Sequence, residues 1–199
     1  MAWSKMKQSL ESFLSPTLYG RVEYCATSYR YLPDKAGRCY IKVDKKYLFN
    51  MSDTSTSIKW YHTEQEIKND PDIQIHISIE EIERVRKDMK GEVPEERLIV
   101  IARNRKISEY AKEILSAQTA LSKSDFNVAA NRFLTNSIEE SLESADILLN
   151  VLALVDRRVG KKRLLNMSEK IMLKHPIVQY FYKLRLSAFN TENRLEIDH

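Results

Sequence analysis

The sequence has little glycine, proline or cysteine, and no long apolar run. It contains four glycines, five prolines and two cysteines among 199 residues. So few chain-breaking residues favour an ordered, helix-rich protein over a disordered linker. The longest apolar stretches, at 98–102 and 148–155, are far shorter than the roughly 20 residues of a bilayer-spanning helix. The N-terminus also lacks the apolar region of a signal peptide, so we expect a cytoplasmic protein with no membrane partner.

The two cysteines, Cys25 and Cys39, lie on segments that we predict to be paired strands. If residues 33–36 form the turn, Cys39 lies opposite Arg30, and Cys25 is about 17 Å further along the sheet. A disulfide between them is then excluded. Without a Cys-x-x-Cys spacing or clustered histidines, we predict no metal site and no cofactor.

Charge is distributed unevenly along a chain whose net charge is +4. Residues 1–50 carry nine Lys and Arg against four Asp and Glu, and residues 151–199 carry ten against five. Residues 51–150 carry thirteen against nineteen. The basic ends could face an anionic partner, or they could pack against the acidic middle of the same chain or of a second copy.

The pattern of the first half predicts mixed helix and strand. An apolar stripe predicts a helix over 2–14, and alternation predicts a hairpin of strands 21–31 and 37–44 with a third strand at 47–51. Capping signals predict helices over 53–69 and 78–90. Between them, Ile73, Ile75, Ile77 and Ile79 alternate with other residues, which predicts a fourth strand.

The second half is predicted to be mainly helical. Residues 98–102 fit either a helix or a buried strand, although the preceding Pro-Glu-Glu favours a helix start. Capping signals predict helices from 124 to 134 and from 138 to 158, followed by helices at 161–172 and 176–189. The predicted fold class is α+β, with an α+β lobe at 1–92 that contains the hairpin and a helical lobe at 93–199.

One candidate binding surface is the outward face of the hairpin. In the register given above, Tyr29 lies opposite Tyr40 and Tyr31 opposite Arg38, with Lys42 nearby. Aromatic rings among cations on a sheet can stack and hold single-stranded nucleic acid. The alternative interpretation is that cross-strand aromatic pairs only stabilise the sheet, and a register slip of one residue would exchange its faces.

The other candidate surface follows the apolar segment that ends near residue 155. We call its five cations the basic cluster: Arg157, Arg158, Lys161, Lys162 and Arg163. Cations gathered between two helices could bind phosphates. Alternatively, they could complement a helix dipole and pair with Glu139, Glu140 and Glu143.

Signals for catalysis are weak. No catalytic triad or glycine-rich phosphate loop is present, so we predict no catalytic residues, and whether the protein is an enzyme stays open. Pro33-Asp34 followed by Asp44-x-Lys46 superficially matches a metal-dependent nuclease signature, but the two carboxylates would lie about 30 Å apart in the predicted hairpin. The order helix, three strands, helix resembles the double-stranded RNA-binding module, but the second helix lacks that module's initial lysines.

Segments at both ends of the chain resemble an uncharacterised bacterial protein family of about this size. They are MAWSKMKQSLESFL and GRVEYCATSYRYLPDKAGRCYIKVD near the start, and NSIEESLES, LALVDRRVGKKRL and HPIVQYFYKLRLSAF near the end. The resemblance implies a bacterial cytosolic setting and transfers no functional residues.

These observations together favour a non-enzymatic binding or regulatory protein. Its basic surfaces would meet an anionic or protein partner. Two alternatives stay open: a nucleic-acid-binding or metal-dependent nucleic-acid-processing protein, and a structural homo-oligomer in which basic ends meet acidic middles.

Overall fold

The computed structural model describes residues 2–32, 36–90, 92–118 and 120–195, with side chains as far as Phe189. The predicted α+β class is confirmed. Three strands, β1 to β3, form one sheet: β1 Val22–Ser28, β2 Gly37–Val43 and β3 Lys46–Ser52. In chain order, one helix precedes the strands and the others follow them: α1 Trp3–Phe13, α2 Asp53–Asn69, α3 Ile79–Asp88, α4 Glu95–Ala117, α5 Lys123–Thr135, α6 Ile138–Glu143, α7 Ile147–Leu154, α8 Lys161–Asn166, α9 Ser168–Met172 and α10 Pro176–Leu195.

The chain divides into two compact units. The first unit comprises residues 1–51 and 123–199, and the second unit comprises residues 52–122. The boundary that we predicted, between 92 and 93, therefore falls inside the second unit. The reason is that α2 packs against α4, so helices from both sides of that boundary share one core.

The sheet of the first unit has the order β1-β2-β3. β1 and β2 are antiparallel, with Val22 opposite Val43 and Cys25 opposite Tyr40. The predicted register, in which Tyr29 faces Tyr40, is wrong by four residues. Pairing ends at Ser28 and Gly37, because the hairpin connection is longer than the four-residue turn that we predicted. A Cβ atom at residue 37 would lie only 2.0 Å from the carbonyl oxygen of Thr27, so this register requires glycine there.

The true register also changes the relation between the cysteines. Cys25 faces Tyr40 and Cys39 faces Ala26, so the two cysteines lie on adjacent strands and point to opposite faces of the sheet. They are therefore nearer than the predicted separation of about 17 Å. Opposite orientation, rather than distance, prevents them from forming a disulfide with each other.

β2 and β3 are joined by the two residues Asp44 and Lys45. Both have positive φ angles, 48° and 67°, which is the conformation of a two-residue hairpin turn with the right-handed twist of the strands. The Arg21 guanidinium donates two hydrogen bonds of 2.9 Å to the Asp44 carboxylate. These bonds lower the pKa of Asp44 below its usual value.

Aromatic rings join the inner face of the sheet to the helices of the first unit. Tyr24 of β1 is buried, and its ring centroid lies 6.4 Å from that of Phe126 on α5. Trp3 of α1 approaches the same Phe126 ring at 6.1 Å. The core of this unit therefore lies between the sheet, α1 and α5, and continues into the buried helix α7, which packs against α5, α6 and α10.

The single helix predicted over 138–158 is wrong, since the chain forms α6 and α7 with a break between them. Asp146 caps α7 by accepting a hydrogen bond of 2.9 Å from the amide of Leu148. The Asn150 side chain donates to the carbonyl oxygens of Ser141 and Ser144, and Lys174 Nζ donates to Asn150 Oδ1 at 2.5 Å. This polar network satisfies carbonyl groups that a continuous helix would have bonded internally. The helix predicted over 161–172 is likewise two helices, α8 and α9.

The second unit contains α2, α3 and α4. The strand predicted at residues 73–79 is wrong, because residues 73–78 form neither helix nor strand and pair with no strand among the described residues. Their alternation instead places Ile73 and Ile75 against the buried side chains of Ile67 and Ile107, while Ile77 packs beside α3 and α4. Residues 98–102 form part of helix α4, which resolves the alternative between helix and strand.

Within the described residues, no helix has both the length and the apolar character needed to cross a membrane.

Candidate functional site

The basic cluster lies on the turn between α7 and α8. The turn is held to the end of α1 by hydrogen bonds from Ser15 N to Val155 O, 2.9 Å, and from Arg157 N to Phe13 O, 2.8 Å. The carbonyl of Val159 also accepts a bond of 3.3 Å from the buried Arg185 of α10. The backbone that carries the five cations is therefore fixed by α1 and α10.

The Arg158 side chain is held by contacts with residues of the protein itself. Its Nη2 lies 2.7 Å from a carboxylate oxygen of Asp156, and its backbone amide donates to the same carboxylate at 2.7 Å. Asp156 is buried. The guanidinium also lies over the Phe13 ring, 4.2 Å from the centroid, with Phe133 beyond it at 5.7 Å. Asp156 thus pairs with the charge of the Arg158 guanidinium, and the two rings cover its flat face, so neither is left for a ligand.

Arg163 is also paired. Its Nη2 lies 2.6 Å from a carboxylate oxygen of Glu139, in the first turn of α6. The pKa of Glu139 is lowered first by a hydrogen bond to its own backbone amide and then by the nearby Arg163 and Arg158. Glu139 is one of the three carboxylates that the structural interpretation of the basic cluster named as possible partners.

The remaining cations, Arg157, Lys161 and Lys162, point to solvent. All three are exposed, and among the described residues no salt bridge engages any of them. Of the five predicted ligand-binding cations, these three are available to an anionic partner.

The outward face of the sheet carries a different arrangement, which we call the tyrosine–lysine platform: Tyr40, Lys42 and Tyr47. The Tyr40 and Tyr47 ring centroids lie 4.9 Å apart, with the ring planes inclined by 57°. Lys42 Nζ lies 5.7 Å from the Tyr40 centroid and 5.2 Å from the Tyr47 centroid. Arg38 adds a cation 5.9 Å from the Tyr40 ring. The tyrosine–lysine platform, together with the neighbouring Arg38, thus brings together two aromatic rings and two cations.

The platform is open on the Tyr47 side. Tyr47 is 64% exposed, whereas Tyr40 and Lys42 are half-buried. Glu23 lies on the same face, 4.0 Å from Lys42 Nζ, so the lysine is weakly paired and remains partly available. The rings therefore offer an accessible aromatic surface beside a cation.

The structure brings together only some of the residues predicted for this face. Arg38, Tyr40 and Lys42 lie together as expected, but Tyr29 and Tyr31 do not face Tyr40 and Arg38, because both follow the end of β1. Tyr31 is almost fully exposed, in the connection between β1 and β2. Sequence reasoning missed Tyr47. The lysine-rich turn before it was a usable signal, because a two-residue turn places the start of β3 beside the end of β2.

The nuclease-like signature is not assembled in the described part of the chain. Asp34 lies outside the described residues, and the Asp44 carboxylate is occupied by Arg21. The residues that the structure describes also contain no group of three or more His, Cys, Asp or Glu side chains that could hold a metal ion.

The fold and these surfaces define a class, namely an α+β protein whose sheet-bearing unit carries accessible cations and an aromatic platform. Comparison with family models adds a family. The model of the SF0329 protein family matches residues 2–186, so the chain belongs to that family. Comparison with curated proteins and comparison with solved structures each find no match.

Proposed function

We propose that this protein is a non-enzymatic binding module of the bacterial cytoplasm, and that the first unit binds single-stranded nucleic acid on its sheet. The observation that carries the proposal is the tyrosine–lysine platform, in which Lys42 lies beside two tyrosine rings and Tyr47 is 64% exposed. Base stacking on an aromatic ring contributes about 1–3 kcal/mol per base and tolerates any sequence.

Charge supports an anionic partner for this unit. The first unit contains 21 Lys and Arg against 14 Asp and Glu, whereas residues 52–122 contain 11 against 14. A net charge of +7 attracts a phosphate backbone at long range and accelerates association. Arg38 and Lys42 would then hold phosphates beside the stacked bases.

Two other parts of the first unit would contribute to binding in this proposal. The exposed Tyr31 would add an aromatic side chain beyond the end of β1, and the half-buried Tyr29, which directly follows β1, would add another. Arg157, Lys161 and Lys162 would contribute to affinity through their charge, without reading sequence.

The test is fluorescence anisotropy of labelled single-stranded RNA and DNA, with duplex DNA for comparison, at two salt concentrations and with or without magnesium. We expect single strands to bind with micromolar or tighter affinity that weakens steeply as salt rises. Tyr47→Ala should weaken binding about tenfold by removing one stacking ring, and Lys42→Gln should reduce the salt dependence.

Tyr19→Ala is the matched control, because Tyr19 is an exposed tyrosine of the same unit that lies outside the sheet. It should bind like the native chain. Absence of binding at low salt, or equal binding by the Tyr47 and Tyr19 variants, would reject the platform as the site. Magnesium-dependent loss of the label would instead indicate nucleic-acid processing.

A further inference from the structure

Helices α8 and α9 present exposed apolar side chains that the proposed function does not use. Only Met167 separates them, and its backbone is itself in the right-handed helical region. Their inward stripe is formed by Leu164 and Ile171, both buried. A second apolar set points away from this stripe: Leu165 of α8 is 53% exposed, Met172 of α9 58%, and Leu173, which directly follows α9, 91%.

Helical geometry places this second set on one outward face. Residues three, four, seven and eight apart lie on the same side of a helix, which aligns Leu165 with Met172 and Leu173. Leu173 at 91% exposure has almost no protein around its side chain, so it projects from the surface instead of lining a groove. A helix that is apolar on its outer side as well as its inner side has an unsatisfied apolar surface.

Cations surround these apolar side chains. Lys161 and Lys162 lie one turn before Leu165, Lys170 lies between Leu165 and Leu173, and Arg157 precedes α8. All four are exposed, and residues 156–173 contain two carboxylates, Glu169 and the buried Asp156. The occupant of the surface should therefore be anionic where it meets the lysines and apolar where it receives the leucines.

We propose that the α8–α9 surface binds the surface of a bilayer that contains anionic phospholipids. Projecting apolar side chains enter the boundary between headgroups and acyl chains, while flanking lysines meet phosphate groups. Peripheral binding of this kind needs no spanning helix. It departs from the expectation of no membrane partner, which rested on the absence of long apolar runs and of a signal peptide.

The test is cosedimentation of the full-length protein with vesicles of phosphatidylcholine alone or with about one-third phosphatidylglycerol, an anionic surface of the kind that polybasic segments recognise. Binding is expected only to the anionic vesicles. Leu165→Ser combined with Leu173→Ser should weaken it about tenfold or more, since both side chains would leave the bilayer. Lys170→Glu should weaken binding at least about fivefold, and Glu169→Gln should strengthen it.

Controls of matched exposure lie on other helices of the first unit. Val128→Ser on α5 and Lys183→Glu on α10 change an exposed apolar and an exposed basic residue outside the surface, and both should bind like the native chain. All these residues are exposed, so thermal unfolding should confirm that the variants fold. Nucleic-acid anisotropy on the leucine variant should be unchanged, which separates this proposal from the sheet site.

Three outcomes would overturn the proposal. The first is absence of vesicle binding at low salt. The second is binding that the leucine substitutions leave unchanged, because attraction would then be a general effect of net charge. The third is a dimer that the leucine substitutions dissociate, without vesicle binding, which would assign the surface to a second copy of the chain.

Discussion

The two units of the chain are stabilised in different ways. The first unit has a continuous core in which every residue of α7 except the first is buried. This core also contains buried polar residues that bond to one another or to the backbone: Ser141, Asn150, Asp156 and Arg185. The core of the second unit contains two small clusters, one around Ile67 and Ile107 and one around Val85 and Leu98. Among its described residues, no charged or polar side chain is fully buried.

This difference implies that the first unit depends on unique packing and that the second unit tolerates change. Buried polar groups are costly unless every partner is in place, so they favour one arrangement over its alternatives. Small clusters with partly exposed neighbours can collapse around a lost side chain. Both candidate binding surfaces are carried by the first unit, where rigid backbone would hold their side chains in position.

The largest expected effect is on the free energy of unfolding, when one buried leucine is replaced by alanine in the core of each unit. Leu149 of α7 and Leu98 of α4 are both almost completely buried. Leu149→Ala should lower the free energy of unfolding by about 4 kcal/mol, and Leu98→Ala by about 2.5 kcal/mol, because a cavity inside a continuous core relaxes less.

The two tryptophans allow each unit to be followed separately, since Trp3 belongs to the first unit and Trp60 to the second. Denaturant unfolding would be measured by fluorescence in Trp60→Phe and Trp3→Phe backgrounds. Equal losses of unfolding free energy in the two units would contradict the proposed difference between their cores.

A second comparison concerns the loss of stability when a buried ion pair or an exposed ion pair is removed. Asp156 is buried against Arg158, whereas Asp88 of the second unit pairs with Arg105 at 2.6 Å on the surface. Asp156→Ala should cost about 3 kcal/mol, since it leaves the Arg158 amide without its acceptor and loosens the turn of the basic cluster. Asp88→Ala should cost less than about 1 kcal/mol. Thermal unfolding of the two variants makes the comparison, and a similar loss from both would contradict it.

Local sequence signals predicted much of the architecture. The capping boxes at Ser78 and Ser137 are present, as are the N-terminal helix and the three strands. These features depend on residues within a few positions of one another, where side-chain and backbone preferences act directly.

The errors concern contacts between distant residues. The alternating isoleucines at 73, 75 and 77 identified a segment with one inward side, but their packing partners are helices, and periodicity does not specify a partner. The break between α6 and α7 depends on Lys174, which lies 24 residues beyond Asn150 and bonds to it in the folded chain. In the candidate site, the sequence identified the cations and named Glu139 among their possible partners. It left open which of the five cations are paired, because the folded chain decides that Arg158 meets Asp156 and that Arg163 meets Glu139.

The smallest expected effect is a pH dependence confined to the first unit. Burial raises the pKa of Tyr24 far above its ordinary value of about 10, and the carboxylates of Asp156 and Glu11 raise it further. Below pH 10 the hydroxyl is protonated in both the folded and the unfolded chain, and its contribution to stability is fully present. Above pH 10 the unfolded chain loses this proton while the folded chain keeps it. Stability should therefore fall by about 1.4 kcal/mol per pH unit until the raised pKa is reached.

Tyr24→Phe tests this contribution because it keeps the ring beside Phe126 and removes the ionisable group. Between pH 10 and pH 11.5, about 1.4 kcal/mol per pH unit of the alkaline loss reported by Trp3 should disappear in the variant. The loss reported by Trp60 should not change, since Tyr61 and Tyr110 of the second unit are exposed. The loss of stability with rising pH that Trp3 reports could instead have the same slope in the native chain and in Tyr24→Phe. In that case the buried Tyr24 hydroxyl does not make the first unit more sensitive to alkaline pH than the second unit.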